Sequence, residues 1–566
     1  MRPPHGYFLR MLFIPLVAAV VTACNPITPA TNAPPTANLS ANHSANHSAN
    51  LGISGNATQQ ASSSNISNTT SNSNHELPGL SLDWPYFGNN LWQDRFSPNE
   101  QLNGASAQKL RTAFRVTLPD STGGNESYPI EVHGVLYVTT RNADVIALNA
   151  TTGAVRWTYR APKSSVPLPH INRGVAVSNG KVYVLTADDH LIALDATDGH
   201  MVFQVQAANP ATGVFESMAP LVADGLVFVG SSGGDEGVRG FVEAFSASTG
   251  AKLWQFDTVP PRGQGWLPAT GKHGGGAVWT TPTYDTATHS LYFGTGNPSP
   301  DYYGVSRPGP NPYTDSVVRL NATSGALTYA RQEVSHDLWD YDVASPPILF
   351  TVHHQQVVGE AGKDGEWYEW YAASGKPFTA PVAFVKISHT PPTAQGVEEW
   401  PGPNGGANYG PSAYDPLTHQ VFVAGINGPE TLYASPTGHA QHTIDLGTAQ
   451  NPGPVKDWHG TITAIDVRTG HIDWQVDTPT PPIGGVTVSA GGIVWYGEAN
   501  GTLTGRSTKN GTMIWQQNLK APIGSAPILY QQLGHTYLCV VTGGATSLRT
   551  LFPYTGPAQL IGFRLS

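Results

Sequence analysis

The stretch between residues 272 and 342 contains residue types from which a site for a planar ligand and a metal ion can be built. Three consecutive glycines, at 274–276, precede Trp279, and Asn297 follows the strand-like segment SLYFGTG. Glycine lets a backbone approach a flat ligand closely, and a tryptophan ring can stack on such a ligand. An amide oxygen is a suitable ligand for a hard cation. These residues therefore predict a planar cofactor held beside a metal ion.

A sequence repeat predicts the elements that position this site. In each copy an alternating apolar strand leads into a short polar turn, a glycine, and an aromatic residue about four positions later. The turn glycines of the seven copies are Gly153, Gly199, Gly250, Gly325, Gly375, Gly470 and Gly511. Period-two alternation around such a turn is typical of a β-hairpin, and a recurrence of ~40–50 residues is the spacing of propeller blades. We expect an all-β propeller of four-stranded antiparallel blades, with the repeated aromatic residues packed between them.

The number of blades and their closure follow from two further segments. The interval between Gly375 and Gly470 is unusually long and contains YDPLTHQVFVAG, a strand-turn-strand pattern. We interpret it as a blade whose own repeat has decayed, which favours eight blades over seven. The terminal strand LIGFRL (560–565) is expected to pair with residues 109–118, because a closed propeller leaves no free strand edge.

Composition excludes several classes of function. The formal net charge is −10, from 29 Lys and Arg against 39 Asp and Glu, and no basic run is present. This balance argues against a nucleic-acid partner. The only cysteines are Cys24 and Cys539, so a disulfide framework, a thiolate metal site and a CxxCH haem attachment cannot be built.

The N-terminal region predicts export. Residues 1–23 combine early arginines, a short apolar core and small residues directly before Cys24. This pattern resembles a bacterial lipoprotein signal peptide whose cysteine is lipidated; an uncleaved anchor or a plain secretory signal is the alternative, and each of them exports the protein. Residues 24–80 are rich in Asn and Ser and almost free of large apolar residues, so we expect a disordered tether before a folded part at 81–566. The expected location is the cell envelope, lipid-anchored on the outer face of a membrane, either periplasmic or extracellular.

The folded part begins with DWPYFGNNLWQDRFSPNEQLNGASAQKL (83–110). This segment resembles the opening of the quinoprotein alcohol dehydrogenases, which are eight-bladed propellers that bind pyrroloquinoline quinone and calcium. The resemblance continues in order through spaced motifs and covers about residues 83–566. It implies pyrroloquinoline quinone as the cofactor, with calcium or a lanthanide as the metal.

The resemblance also implies a role for individual residues. The cofactor contacts that it implies are Glu126, Arg173, Ser232, Gly233, Gly234, Trp279, Lys363 and Asn408. A guanidinium such as that of Arg173 suits a carboxylate of the tricarboxylate cofactor. The implied metal ligands are Asp235 and Asn297. Asp235 stands where the family has the longer glutamate, so either the ion shifts, or water fills the gap, or Glu236 substitutes.

Three departures from the family pattern bear on catalysis. Pro167 and Leu168 stand where the family has an adjacent cysteine pair, so we expect apolar side chains above the quinone there. No haem-attachment motif is present, so we expect electrons to leave to an external acceptor. Pro310, in RPGPNPYTDS, stands where the family has its catalytic aspartate. A proline cannot accept a proton.

The loss at Pro310 leaves the catalytic base open. Asp315 and Asp301 are the nearby candidates, and the absence of any competent base is the third interpretation. The motif HDLWDYD (336–342) also resembles the family, and we interpret Trp339 and Asp340 as structural.

We therefore expect an exported dehydrogenase that oxidises a small alcohol or polyol with pyrroloquinoline quinone. Its partners are the substrate, an external electron acceptor and the membrane that receives lipidated Cys24, without nucleic acid. The alternative is a non-catalytic propeller lipoprotein that acts as a binding or assembly scaffold. A propeller that binds the quinone without turnover lies between the two.

Overall fold

Strands account for nearly all regular structure in the computed structural model, which describes residues 82–119, 121–163, 170–260, 266, 274–436 and 446–566. All of them belong to the unit Glu76–Ser566. The predicted signal peptide, the predicted tether up to residue 80, and Pro167 with Leu168 lie outside the described residues. The described residues form 36 strands, and four short 3-10 helices connect some of them: Ala107–Lys109, Pro210–Thr212, Gly304–Ser306 and Val455–Asp457.

Two strands, β1 (Phe96–Ser97) and β2 (Leu110–Thr117), precede four consecutive four-stranded antiparallel sheets, which we name blades 1 to 4. Blade 1 consists of β3 (Ile130–Val132), β4 (Val135–Thr139), β5 (Val145–Asn149) and β6 (Val155–Tyr159). Blade 2 consists of β7 (Ala176–Ser178), β8 (Lys181–Leu185), β9 (His190–Asp195) and β10 (Met201–Gln206). Blade 3 consists of β11 (Leu221–Ala223), β12 (Leu226–Gly230), β13 (Phe241–Ser246) and β14 (Lys252–Asp257). Blade 4 consists of β15 (Thr283–Asp285), β16 (Ser290–Gly294), β17 (Ser316–Asn321) and β18 (Leu327–Gln332).

Four further blades complete the described sheets of the propeller. Blade 5 consists of β19 (Ile348–Val352), β20 (Gln355–Ala361), β21 (Glu366–Tyr371) and β22 (Val382–Ala383). A separate three-stranded sheet consists of β23 (Val397–Glu399), β26 (Glu430–Ala434) and β27 (Thr448–Pro452). Blade 6 consists of β24 (Ala413–Asp415), β25 (Gln420–Asn427), β28 (His459–Asp466) and β29 (His471–Thr478). Blade 7 consists of β30 (Val486–Ser489), β31 (Ile493–Gly497), β32 (Thr502–Ser507) and β33 (Met513–Asn518), with β1 added parallel to β30. Blade 8 consists of β34 (Ile528–Gln532), β35 (His535–Val541) and β36 (Gln559–Leu565), with β2 as its outer strand.

The predicted closure is confirmed. Strand β2 pairs antiparallel with β36, from Leu110 opposite Leu565 to Thr117 opposite Gln559. The N-terminal strand therefore supplies the outer edge of the last blade, and the expectation of eight blades is also confirmed.

The reason given for the eighth blade is wrong. The pattern YDPLTHQVFVAG forms β24 and β25, which are the first half of blade 6 and not a separate blade. The long interval before Gly470 instead contains the extra three-stranded sheet. Blade 8 has no repeat turn, because its outer strand is β2, from the start of the folded part, and not a strand joined to β36 by a hairpin. The repeat therefore could not reveal this blade.

Hydrophobic clusters between neighbouring blades form a closed ring around the molecule. One cluster joins blades 8, 1 and 2, and six others join each following pair up to blades 7 and 8. The middle strands of each blade are buried on both faces, whereas outer strands such as β14 and β29 alternate between exposed and partly buried residues. A strand enclosed between two blades needs apolar residues on both faces, which explains near-continuous runs such as VIAL in β5.

The repeated aromatic residues pack between blades as predicted. Trp157 at the edge of blade 1 lies on the turn of blade 2, where its Nε1 donates to the carbonyl of Ala196 over 3.0 Å. Gly199 in that turn has φ +78°, and a Cβ at this position would come within 2.6 Å of the Trp157 ring. Trp254 and Trp474 donate in the same way to the next blade, to Ala322 and Thr508. The repeat therefore encodes contacts between blades, at the end of the hairpins opposite the site described below.

Strand direction determines which segments meet at the other end. In an antiparallel four-stranded blade, the connection from the second to the third strand and the link from the fourth strand to the next blade emerge at the same end. Most of these connections are long, and together they contain every residue of the predicted site. No helix in the described part of the chain is long and apolar enough to cross a membrane.

Candidate active site

A cavity of about 390 Å³ is enclosed by these long connections. Ten of the twelve predicted site residues line it: Glu126, Arg173, Ser232, Gly233, Gly234, Asp235, Trp279, Asn297, Lys363 and Asn408. They come from seven separate segments of the chain and are up to about 280 positions apart in it. Its volume lies in the range of small-molecule sites, roughly 300–1,000 Å³.

One wall of the cavity is built on the guanidinium of Arg173. Its Nη2 donates to Oε2 of Glu126 over 2.7 Å, and both side chains are almost completely buried. Its Nη1 donates to Ser217 Oγ over 3.0 Å. The Cζ atom lies 4.8 Å from the ring centre of Trp279 and 4.6 Å from that of Tyr409, so the cation is held between two aromatic faces. Its Nε is buried and makes no hydrogen bond within the described residues.

The connection between β12 and β13 forms a second wall. Gly233 has φ +97°, and a Cβ there would come within 2.6 Å of the carbonyl of Gly213, so only glycine fits. Ser232 Oγ lies 2.8 Å from Ser217 Oγ, which links this wall to the Arg173 wall. Burial, with a smaller contribution from the nearby Asp342 carboxylate, raises the pKa of Asp235 to about 6, although Lys363 opposes the increase. A bound cation would reverse this shift, because it stabilises the ionised carboxylate.

Asn297 lies beside Asp235, at the end of the second strand of blade 4. Its backbone N–H donates to Asp342 Oδ1 over 2.7 Å, while its side-chain Nδ2 is buried and makes no hydrogen bond within the described residues. An amide that is held by its backbone and has an unused side chain is available to a ligand. Among the described residues, no group of three or more His, Cys, Asp or Glu side chains is placed to hold a metal ion. A metal at Asp235 and Asn297 would therefore need oxygen ligands from the bound cofactor as well.

Lys363 lies in the turn between the second and third strands of blade 5 and is joined to Asn297 through Asp342. Its Nζ lies 2.9 Å from Asp340 Oδ1 and 2.6 Å from Asp342 Oδ2, and the side chain is only 5% exposed. Burial alone would lower the pKa of Lys363, but the two carboxylates outweigh it, so the net pKa is raised. The lysine is therefore a fixed positive charge at the cavity wall.

The structure does not bring the two candidate bases to the cavity lining. Asp315 and Asp301 are both fully buried. Asp315 Oδ2 accepts a hydrogen bond from Thr314 Oγ1 over 2.8 Å, and neither oxygen of Asp301 has a hydrogen-bond partner within the described residues. Burial raises the pKa of both carboxyls well above the usual range, with further increases from neighbouring carboxylates.

The course of the connecting loop explains this placement. Arg307 is buried and donates to the backbone carbonyls of Pro300, Asp301 and Asp337. These bonds fix the loop so that Pro310 lies on a separate groove, together with Pro308, His336 and Pro392 among others. The position at which the family has its catalytic aspartate therefore does not line this cavity.

Sequence reasoning missed several residues that line the cavity. Ser217 and Tyr409 complete the surroundings of Arg173, and no motif marked them. Asp340 was interpreted as structural, yet its side chain lines the cavity together with that of Asp342. Local spacing could not have revealed this, because Asp340 lies in a turn with φ +65°, where the rule that residues i and i+2 of an extended segment point to the same side does not apply.

Comparison with known proteins identifies the family. The model of the glucose/ethanol/alcohol dehydrogenase β-propeller domain matches residues 84–387, which is more than half of the chain. The chain belongs to the pyrroloquinoline quinone-dependent alcohol dehydrogenases. It is 30% identical to the quinohemoprotein alcohol dehydrogenase of Comamonas testosteroni, over 81% of this chain and 72% of that protein. It is also 30% identical to the quinohemoprotein alcohol dehydrogenase ADH IIB of Pseudomonas putida, over 81% of this chain and 73% of the relative.

Solved structures of this dehydrogenase family share the fold. The Comamonas testosteroni quinohemoprotein alcohol dehydrogenase superposes with a TM-score of 0.78 at 27% identity, covering 86% of this chain and 81% of that one. A europium-containing methanol dehydrogenase gives a TM-score of 0.77 at 24% identity, covering 85% of this chain and 98% of that one. A second family model, for the outer membrane protein assembly factor BamB, matches only residues 458–551. That short match spans blade 7 and parts of its neighbours.

The residues of the cavity fit the quinone of this dehydrogenase family. The cofactor is flat and carries three carboxylates, so it needs a stacking surface and cationic or hydroxyl donors. Among the residues that line the cavity, Trp279 would provide the first, while Arg173, Lys363 and Ser232 would provide the second. The unused Nε of Arg173 and the unused Nδ2 of Asn297 are buried polar groups that a polar ligand would satisfy.

Proposed function

We propose that this dehydrogenase oxidises a small alcohol or polyol, with pyrroloquinoline quinone held in the cavity beside calcium or a lanthanide. The observation that carries the proposal is the convergence of ten residues, chosen from spaced sequence motifs, on one cavity. A scaffold propeller has no need of inward-facing cationic and amide groups at these positions. When bound, the quinone supplies a two-electron oxidant.

The chain's own residues would bind and orient this cofactor. Arg173, already fixed by Glu126 and two aromatic rings, presents its remaining N–H groups to a carboxylate. Trp279 supplies the flat surface, and Lys363 supplies a positive charge near the quinone oxygens. Burial of these groups strengthens each electrostatic contact, because little water remains to screen it.

The metal ion would lie between Asp235 and Asn297. Carboxylate and amide oxygens are the ligands that calcium and other hard cations prefer. Only one carboxylate is assigned, so the cofactor must complete the coordination. Glu236, which also lines the cavity, can replace or assist Asp235.

We further propose that the enzyme is exported and lipid-anchored through Cys24 in the cell envelope, and that it passes its electrons to an external acceptor. The apolar segment and small residues before Cys24 support the anchor, and the lack of a haem-attachment motif supports the acceptor. Expression of the full chain and of a Cys24→Ser variant tests the anchor. We expect the full chain in the membrane fraction and the variant in the soluble fraction; equal fractionation would contradict lipidation.

The catalytic proposal is tested with the purified full chain in detergent. The protein is mixed with pyrroloquinoline quinone and calcium, or with the quinone and a lanthanide, and the absorption of bound quinone is recorded. Reduction of an artificial electron-acceptor dye is then measured with a panel of alcohols and polyols. We expect a bound-quinone band and alcohol-dependent dye reduction that a chelator abolishes. Absence of the band contradicts the cofactor site, whereas a band without dye reduction contradicts the dehydrogenase activity.

A further inference from the structure

The carboxylates that line the cavity differ in what they are free to do. Glu126 uses both oxygens, since Oε2 accepts from Arg173 and Oε1 accepts from the backbone N–H of Thr546. Asp342 also uses both, for Asn297 N–H and for Lys363. Asp235 is a ligand of the proposed metal site, and Glu236, the next residue, can replace or assist it there. This leaves one carboxylate beside Lys363 with an unused oxygen, that of Asp340.

Asp340 presents a single oxygen to the cavity. Lys363 Nζ donates to its Oδ1 and to its backbone carbonyl, each over 2.9 Å. Its Oδ2 accepts no hydrogen bond within the described residues, and the side chain, 16% exposed, lines the cavity. A carboxylate fixed through one oxygen and open at the other has the geometry of a proton acceptor.

The turn around Asp340 is rigid on both sides. Asp337 accepts from the backbone N–H groups of Trp339 and Tyr341 over 3.0 and 3.1 Å. The two aromatic rings stack with centroids 5.8 Å apart, and the Tyr341 hydroxyl donates to the carbonyl of Pro401 over 2.6 Å, with Glu399 Oε1 3.1 Å away. Asp340 itself has φ +65°, a left-handed conformation that aspartate adopts more readily than most residues. The side chain is therefore held in place before any ligand binds.

The charges around Asp340 are consistent with a proton acceptor. Burial raises its pKa well above the usual range, Lys363 opposes this increase, and Asp342 and Asp235 add to it. Asp301, which is fully buried, is a further acidic neighbour. A carboxylate with a raised pKa is a stronger base than one in water, and proton transfer to it is correspondingly more favourable.

We propose that Asp340 is the general base of this enzyme, and that its Oδ2 accepts the hydroxyl proton of the bound alcohol in place of the aspartate that the family has at position 310. In this step the O–H bond of the alcohol breaks, the proton bonds to Oδ2, and the electron pair stays on the alcohol oxygen as an alkoxide. Lys363 holds the carboxylate in position through Oδ1. The assignment rests on the proposed dehydrogenase function.

The test compares wild type with Asp340→Asn, in which the side chain keeps its shape and asparagine tolerates positive φ. Quinone affinity is measured by titration of the bound-quinone absorption, and the melting temperature is recorded alongside. We expect an affinity within about threefold of wild type and only a small fall in melting temperature, because Lys363 keeps its pair with Asp342. The kcat should fall by roughly 10²–10⁴-fold, the usual loss for a general base.

A second variant separates a base from a structural residue. Asp340→Gly suits the positive φ and leaves room for a small carboxylate from solution. We expect formate to increase the rate of dye reduction by this variant at least tenfold. Formate should not help Asp342→Asn, which also loses a partner of Lys363 but keeps the base.

The possible results distinguish a failure of the proposed dehydrogenase function from a failure of the assignment of Asp340 as the base. If wild type neither binds quinone nor reduces dye, the proposed function itself is overturned, and this assignment with it. If wild type is active and Asp340→Asn retains more than a tenth of its kcat with quinone bound, only the assignment of Asp340 is overturned. Loss of quinone binding in Asp340→Asn, without formate rescue in Asp340→Gly, overturns it as well, because Asp340 is then a positioning residue.

Discussion

The buried ion pair between Arg173 and Glu126 provides the sharpest test of how the cavity is held together. The perturbation is Arg173→Met, which fills a similar volume without the charge. The same chain offers a matched control in Arg160, whose Nη1 lies 2.7 Å from Asp144 Oδ2, the same distance as in the buried pair. The Arg173 side chain is 4% exposed, however, whereas that of Arg160 is 58% exposed.

The expected magnitudes follow from burial. Removing Arg173 leaves Glu126 as an unpaired carboxylate at 3% exposure, which costs about 3–5 kcal/mol of folding free energy. The lost contacts with Trp279 and Tyr409 are part of that cost. Removing Arg160 takes away an arginine that lies mostly in water, and Asp144, whose side chain is 8% exposed, keeps the hydrogen bond from the Ala161 N–H, so the expected cost is only about 1 kcal/mol. A Glu126→Gln/Arg173→Met double variant should regain part of the loss, because no charge is then left buried.

Urea unfolding at pH 7, followed by tryptophan fluorescence, gives the free energies of wild type, both single variants and the double variant. Quinone affinity, measured in parallel, should fall for Arg173→Met and stay unchanged for Arg160→Met. Equal destabilisation by the two single variants would refute the reasoning, because distance alone would then determine the cost. A double variant no more stable than Arg173→Met would show that the unpaired carboxylate is not its source.

Three further predictions address the fold, its pH dependence and the cofactor. Gly199→Ala should cost about 1–3 kcal/mol more than Gly180→Ala in urea unfolding, because both have positive φ but only the first meets the Trp157 ring; equal costs would contradict the packing between blades. Burial raises the pKa of Asp189 to about 8, so the folded state binds the extra proton between about pH 4 and 8, and stability falls as pH rises through this range. Asp189→Asn should therefore gain stability relative to wild type between pH 5 and pH 8, and a constant difference in urea midpoint would exclude this. Trp279→Ala should weaken quinone binding about tenfold or more in an absorption titration, and an unchanged affinity would show that the ring is not the stacking surface.

The propeller was predictable because its repeat acts over short distances. Each copy places an alternating strand, a tight turn and an aromatic residue within about a dozen positions, and Gly199 with Trp157 shows how the copy of one blade receives the aromatic residue of the previous one. Blade 8 and the three-stranded sheet at 397–452 were not predictable in this way. Their strands pair across hundreds of residues or within a loop that has no repeat, so local periodicity carries no signal for them.

The site was predictable where a residue lies at the end of a strand. Ser232 and Asn297 follow closely on the second strands of their blades, so the blade fixes where they point. Asp301 and Asp315 lie within or at the end of the long loop after Asn297, and their position depends on Arg307, whose partners come from three separate segments of chain. Local spacing cannot reveal such a contact.

Two buried cations, Arg307 and Lys363, hold the aspartates of this region in different places. Arg307 binds the backbone carbonyls of Asp301 and Asp337. These bonds hold the loop that contains Asp301 away from the cavity and fix the turn that follows Asp337. Lys363, from the next blade, binds the carboxylates of Asp340 and Asp342 and holds them at the cavity wall. In the sequence all four are aspartates within one loop-rich stretch, with nothing to distinguish them. Whether an aspartate reaches the cavity therefore depends on how a buried cation holds its segment: Arg307 binds backbone carbonyls, whereas Lys363 binds carboxylates. For this reason the cavity has an acidic group beside Lys363 although position 310 is a proline.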